Sequence, residues 1–576
     1  MENEHEIAPE EPAEPETEAA PEETPVSQPE AEPAEVAEEA PQPVPAAPAA
    51  AEAESEARCP IQMSWPNGPR CGRKLHVATD GVDEQPVCLM HSKDPNKQSD
   101  PLFDAFWQEF EKILEEAGEK EAHFEHFVFP GADFRNRKLK AICRFGQATF
   151  TQNANFNHAI FAHIADFGGA TFEQSASFRE TNFMQKATLS GITFMQDADF
   201  IKATFKQDAH FSLAIFKQRA TFTNVIFEQK AIFFKTTFTQ KANFSLASFN
   251  QDAIFSRATF TLKADFSVTT FRQNANFEGT EFYGIADWSR CRFLDQAEFR
   301  HIEFDPKEPG TPSAVFSLAK FAKPGEVVFE DVDLCRAFFL NCDVSEVTFA
   351  SPVTWAKREG VRGLAVFEEE ILLDSELSEK LEEYGKIDHG AVEQIYHQLK
   401  KNYDSRLDYW TANEFHYGEM EMKRLAVPVS RWPRWPRRWQ HRKWNFIALY
   451  LWASDYGNSY RKPLKWLLGI VLVTTLLFPL TGLEWKQPKP GNAANNAIVT
   501  YGNVWNQQDT WTNNLWTEAK LIGKSGITAI DTAIFQRNPE YTPVYPRGRV
   551  LGIFETLLTS SLFALFLLAI RRQFRR

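Results

Sequence analysis

From Phe145 to Phe304 a large apolar residue recurs at alternating separations of five and six. Two interleaved series result, Phe145, Phe156, Phe167 onward and Phe150, Phe161, Phe172 onward, each with a period of eleven residues. Thirty positions follow, of which only Leu189 and Trp288 are not Phe. The stretch "AHFSLAIFKQRATF" carries three of them, Phe211, Phe216 and Phe222. Most are preceded, two places earlier, by a small residue such as Ala148, Ala154, Ala209 or Ala220, and Asn, Asp, Thr, Gln and Lys fill the intervals.

An eleven-residue period also suits a right-handed helical coiled coil. On a helix, however, Ala148, Phe150, Ala154 and Phe156 would point to about 0°, 200°, 240° and 80°, which spreads them around the axis. On an extended chain residues two apart share a face, so the small residue and the Phe point inward together while the polar intervals meet water. Pieces that each bury one Phe are unstable alone. Winding them into a solenoid stacks each Phe on its equivalents.

The units "ANF", "ADF", "ATF" and "AIF" resemble those of pentapeptide-repeat proteins. That resemblance implies a mainly β fold, a right-handed four-sided β-helix, over residues 129–355. Ordinary repeats keep five residues per side. Here sides of five and six alternate, so a coil needs 22 residues, alternate corners are bulged, and about ten coils make a rod about 50 Å long. Phe145, Phe150, Phe156, Phe161, Phe211, Phe216 and Phe222 are expected in its core. A beat of five returns at Leu334, Phe339, Val344 and Phe349, and Trp355 closes the rod.

Two apolar stretches beyond it, residues 464–483 and 550–570, are long enough to span about 30 Å of hydrocarbon as transmembrane helices. Nine Lys or Arg with interleaved Trp precede the first, in "RWPRWPRRWQHRKW" and "YRKPLK", and four follow the second in "RRQFRR". The positive-inside rule then places both termini and the rod in the cytoplasm of a multi-pass protein of the cell (inner) membrane, with 484–549 as the external loop. Glu555 is the one carboxylate inside either stretch and so a functional candidate, although its place near the external end favours snorkelling to the headgroups. Thr556, Thr559, Ser560 and Ser561 suit a helix contact, and Gly469 offers close packing.

Composition changes the picture in three places. The formal charge of −16 comes from the N-terminal tail, 1–57, which has 18 Glu and no Lys or Arg and reads as disordered. The rod, counted from Phe134 to Asp305, holds 20 Lys plus Arg against 16 Asp plus Glu. That balance argues against the DNA mimicry of small pentapeptide-repeat proteins, and no nucleic-acid partner is expected. Third, Cys59, Cys71, Cys88 and His91 form C-x11-C-x16-C-x2-H, whose closing C-x-x-H suits a tetrahedral zinc site. Structural zinc would supply folding energy to a Gly- and Pro-rich module over 58–98. Free thiols in a loop-rich segment are the alternative, and His76 is a spare ligand.

A helix in 99–128, with Phe103, Phe106, Phe110, Ile113 and Leu114 at helical spacing, would cap the rod. The segment 356–430 carries Val392, Ile395, Tyr396, Leu399 and Tyr403 as a helical stripe. Its "YHQLKKNY" and "ANEFHYGEMEMKR" resemble the helical hairpin of membrane-associated pentapeptide-repeat proteins. There His397 and His416, beside Glu414, Glu419 and Glu421, are expected on solvated helix faces. Residues 431–463 form a basic, Trp-rich juxtamembrane segment and 571–576 a basic tail. "TPVYPRGRVLGIFETLLTSSLFALFLLAIRRQF" is similar in layout to the inner helix of two-transmembrane ion channels, but the preceding "TAIDTAIFQRNPEYTPV" lacks a carbonyl filter such as TVGYG.

No phosphate loop, nucleophile elbow or metalloprotease helix is present, so no enzyme is expected. The sequence points to a bilayer-anchored scaffold for an unidentified cytoplasmic protein, itself a homo-oligomer. The alternative is an oligomeric pore through the second span.

Overall fold

The computed structural model describes residues 58–63, 69–78, 81–306, 310–358, 363–426, 446–485, 511–534 and 541–574. The expected disordered tail and most of the basic Trp-rich segment lie outside the described residues.

Short extended segments build four parallel sheets of eleven, nine, ten and nine strands, one per side of a solenoid of about ten coils. Pairing joins residues 22 apart, Phe150 to Phe172, Phe172 to Phe194 and Ala154 to Ala176, so the register equals the sum of two eleven-residue periods. Such pairing superimposes like residues. Phe150 stacks on Phe172 with centroids 4.3 Å apart and 2° between planes, and Phe156 on Phe178 at 4.7 Å and 2°. Rings of opposite sides meet edge to face across the core, as Phe200 and Phe211 do at 5.7 Å and 86°, the geometry the ring quadrupole favours. Phe145, Phe150, Phe156, Phe161, Phe211, Phe216 and Phe222 are all buried.

The small position two residues before each ring faces the same core. Where Thr181, Thr236, Thr269 or Thr280 fills it, the hydroxyl donates to the carbonyl of Phe156, Phe211, Phe244 or Phe255 at 2.7 to 2.9 Å, so each of these four hydroxyls is paired. Cys291 takes the same slot, its thiol 2.8 Å from the Phe266 carbonyl.

The two kinds of side turn differently. Each five-residue side passes through a left-handed residue, as at Gln147, Lys202, Leu213 and Val268, with φ between 54° and 60°. The six-residue sides have bends with no such residue. Only Gly169, Gly191 and Gly279 meet the left-handed requirement with glycine. The other corners are held from outside themselves, because the amide of the left-handed residue donates to the next coil: Gln147 to Gly168 at 2.8 Å, Val268 to Ser289 at 2.9 Å. A β-branched residue is the worst occupant of this region. Val268→Gly is therefore expected to raise the unfolding free energy by about 1 kcal/mol, net of the freedom glycine adds to the unfolded chain. A denaturation midpoint that falls would contradict this corner geometry.

Both ends of the solenoid are covered. At the first coil, helix α1 (Leu102–Ala117) lays Phe106 and Phe110 over the open aromatic columns, with Phe110 stacked on Phe124 at 4.5 Å. The buried Lys97 ties this cap down through the carbonyls of Ser92 and Val128, at 2.9 and 2.7 Å. At the last coil follow α2 (Phe367–Leu373), α3 (Ser375–Lys380) and the hairpin of α4 (His389–Ser405) and α5 (Tyr409–Ala426). Gly418 lets α5 approach α4 closely, since a Cβ there would lie 2.4 Å from the Tyr396 ring. Asn402 donates to the carbonyls of Val344 and Val347 at 2.8 and 2.7 Å, and Arg406 to those of Val347 and Phe349 at 2.6 and 3.1 Å. Side chains thus satisfy a backbone edge that would otherwise recruit another strand.

Glu368 on α2 is fully buried and accepts from the Phe339 amide. Burial pushes its carboxyl up to about 7. The folded form then holds the proton more tightly than the unfolded one, so this contribution is full below about pH 4.5 and is lost as pH rises through about 7. Glu368→Gln is expected to flatten that decline, read as melting temperature between about pH 5 and pH 8. A parallel decline in both proteins would contradict it.

Candidate metal centre and membrane helices

Cys59 and Cys71 stand on the two arms of a small antiparallel hairpin, joined by bridges Arg58 to Lys74 and Gln62 to Arg70. The Cys59 amide donates to Arg73 O at 2.8 Å and the Cys71 amide to Ile61 O at 2.7 Å, which places the two thiols across from each other. Cys88 and His91 close a tight turn, the amides of His91 and Ser92 both donating to Cys88 O at 3.0 Å. The fold brings one donor atom from each of the four within 4.8 Å of the others. Cys71 Sγ lies 3.6 Å from Cys88 Sγ, while His91 Nδ1 lies 3.2 Å from Cys88 Sγ and 3.4 Å from Cys59 Sγ. A tetrahedron with Zn–S about 2.3 Å and Zn–N about 2.0 Å has edges of about 3.8 and 3.5 Å, so the separations fit a metal ion.

The surroundings suit that role. His91 Nε2 lies 3.2 Å from the Glu125 carbonyl, which fixes the ring with Nδ1 toward the cluster. Arg73 donates to Cys71 Sγ at 3.3 Å and pairs with Glu109 at 3.0 Å. The Cys71 thiol is drawn down to about 3, first by the hydrogen bond with Cys88 and further by His91 and Arg73. Cys88 is pushed up by the same shared proton and by burial. A metal takes every cysteine of such a set as the thiolate, so binding would displace the proton that Cys71 and Cys88 share. His76 does not join the cluster, because its Nε2 lies 3.0 Å from Asp94.

On α4 and α5 the expectation of solvated faces holds for His397, whose side chain is 61% exposed, and fails for His416 and Glu419. Glu419 and His416 are buried, and Glu419 gathers Lys423 at 2.6 Å, Lys400 at 2.9 Å and His397 at 3.1 Å, with His416 at 3.4 Å. Burial alone would raise the Glu419 carboxyl, but hydrogen bonds from His416, Lys423 and Lys400 outweigh it and hold it well below the usual range. This knot joins the two helices.

After α6 (Phe446–Ser454) come α7 (Arg461–Leu477), α8 (Trp511–Ala533) and α9 (Pro546–Gln573). The segments Arg461–Thr481 and Pro546–Arg572 are long and apolar enough to cross a membrane. Helix α8 falls in the stretch read from sequence as a loop. It lays Leu521, Ser525, Thr528 and Ala529 against its neighbours, and Thr556 on α9 donates to Thr532 O at 3.2 Å. Its buried face is small and hydroxylated, so no apolar stripe advertised it. A ribbon of Leu483–Trp485 with Tyr541–Pro543 closes the ends of this segment.

Two details of these apolar helices also differ from expectation. Glu555 does not snorkel; it is 1% exposed and accepts from Thr474 Oγ1 of α7 at 2.6 Å. Gly469 makes no close contact among the described residues, a Cβ there meeting nothing within 4 Å.

A family model described as pentapeptide repeats (9 copies) matches residues 156–204 and, overlapping, 178–226. No curated protein and no solved structure gave a significant match to the chain.

Proposed function

We propose that this chain, a pentapeptide-repeat β-solenoid, is a membrane-anchored scaffold whose sides bind a cytoplasmic protein. One observation carries the reading: both ends of the solenoid are occupied by the chain's own helices, which leaves the long faces as its open surface. Those faces repeat every 22 residues and mix charges, as in Arg179 with Asp199 at 2.5 Å and Arg219 with Asp197 at 2.6 Å, a pattern suited to protein rather than nucleic-acid recognition. Spans α7 and α9 hold the rod in the cell membrane, both termini inside, with more than one copy per assembly. Cys59, Cys71, Cys88 and His91 hold structural zinc, which pins the hairpin to the first coil and supplies no chemistry to a substrate.

A second reading, an oligomeric pore, is favoured by Glu555 alone, whose Oε2 is buried without a hydrogen-bond partner among the described residues. Reconstituted vesicles and photocrosslinking in cells separate the two. The scaffold predicts no ion flux and a discrete crosslinked protein from a photoreactive residue at the exposed position 241. Flux that Glu555→Gln abolishes would overturn it in favour of the pore.

A further inference from the structure

The connection from the end of α4 into the first turn of α5, residues 406–410, leaves Leu407 and Trp410 71% and 69% exposed, two large apolar side chains within four residues. Single exposed apolar residues need no explanation, but these two border the membrane helices. Leu407, Trp410 and Asn413 form one wall of a cavity of about 290 Å³ whose other wall is Gly457, Ala569 and Arg572. The loop therefore lies within a side-chain length of the end of α9. The junction is tied by hydrogen bonds: Arg572 Nη1 donates to Tyr456 O at 2.7 Å, Asn458 Nδ2 to Asn413 O at 3.3 Å, and Tyr456 OH to Glu421 on α5 at 2.7 Å. Gly457 is required there, since a Cβ would lie 2.6 Å from the Tyr450 hydroxyl.

The depth of this junction follows from the length of α9. The apolar segment Pro546–Arg572 has 27 residues. At about 1.5 Å per residue it is about 40 Å long, against about 30 Å of hydrocarbon, so its two ends, with Arg547 and Arg549 at one and Arg571 and Arg572 at the other, reach the headgroup layers. Arg571 and Arg572 end its apolar run, which fixes Ala569 at that boundary. Leu407 and Trp410 sit at the same level, where an indole is most at home. On the neighbouring α6, Phe446, Leu449 and Trp452 are exposed in a stripe three residues apart, and Trp452 packs on Trp466 of α7 at 3.8 Å. The apolar surface of the spans thus continues outward onto α6 and the hairpin loop. Asp408 and Glu414 stand in the same cavity as Arg572, so it is not an anion pocket; the contact is apolar insertion.

We propose that the α4–α5 loop, through Leu407 and Trp410, inserts into the interfacial layer of the bilayer that α9 crosses, so that the cap of the solenoid rests on the membrane and holds the rod at a fixed tilt. The proposal rests on the reading of α9 as a span.

The test is nitroxide accessibility on the full chain in lipid vesicles, with labels placed singly by Leu407→Cys and Trp410→Cys and the signal of the unsubstituted chain subtracted. Phe563→Cys on the exposed side of α9 is the lipid reference and Glu180→Cys on the solenoid is the water reference. Expected is an oxygen-to-nickel-chelate collision ratio several-fold above that of the Glu180 label and approaching that of the Phe563 label. A water-like ratio at both loop sites, with the Phe563 label in lipid, overturns this inference and leaves the span intact. Exclusion of both reagents would show a second copy or another protein on the loop, and also overturns it. A water-like Phe563 label would defeat the span and the inference together.

Discussion

Replacing Phe211 with serine is expected to lower the unfolding free energy by about 4 kcal/mol or more, whereas Phe211→Leu is expected to cost only about 1 kcal/mol. Phe211 stacks on Phe233 at 4.8 Å and meets Phe200, Phe205 and Phe222 edge to face at 5.7, 5.8 and 5.5 Å. Serine removes all four ring contacts and strands a hydroxyl in an aromatic interior. Leucine keeps most of the volume, and the chain already places Leu189, fully buried, one coil below in the same column. Because each coil touches only its neighbours, the loss is local before it is global. Amides of the flanking coils should therefore lose hydrogen-exchange protection first, in the full chain in detergent, ahead of a lower melting midpoint. Equal costs for serine and leucine would mean that the column is not the source of stability.

The second large effect concerns the metal centre. Purified chain is expected to carry about one zinc per molecule by elemental analysis, and Cys88→Ser to reduce this to near zero. Structural zinc contributes on the order of 10 kcal/mol to small modules, far more than the short hairpin around Cys59 and Cys71 can supply by burial. Loss of the ion should accordingly open residues 58–98 to proteolysis while the coils beyond stay protected. Stoichiometric protein without metal, equally resistant to protease before and after chelation, would return the four residues to the status of clustered thiols.

How much of this was legible in the chain depends on what each residue answers to. The period was readable because every coil asks the same thing of the same position, an aromatic ring over an aromatic ring, so the demand repeats as letters. The corners were not. Gln147, Lys202, Leu213 and Val268 share one backbone conformation but no side-chain chemistry, because the amide of each is held by the next coil. Within the candidate metal centre, Cys88 and His91 are local and visible, while Cys59 and Cys71 become neighbours only through hairpin pairing. Glu419 read as a solvated carboxylate and Glu555 as one that snorkels to the headgroups for a related reason. The partners that face them across a helix pair, Lys400 of α4 for the first and Thr474 of α7 for the second, set no pattern in the sequence. Helix α8 escaped because hydroxyls pack it where apolar side chains were sought.

The most direct test of the central claim, a rod of 22-residue coils, is the distance between spin labels at Glu180→Cys and Arg290→Cys, measured by double electron–electron resonance. The two positions occupy the same exposed corner and are 110 residues apart, five coils of 22. At about 4.8 Å per coil the account predicts a narrow distribution near 24 Å. A separation beyond about 40 Å, or one that scatters broadly, would contradict it, and a continuous helix over the same stretch would exceed about 100 Å.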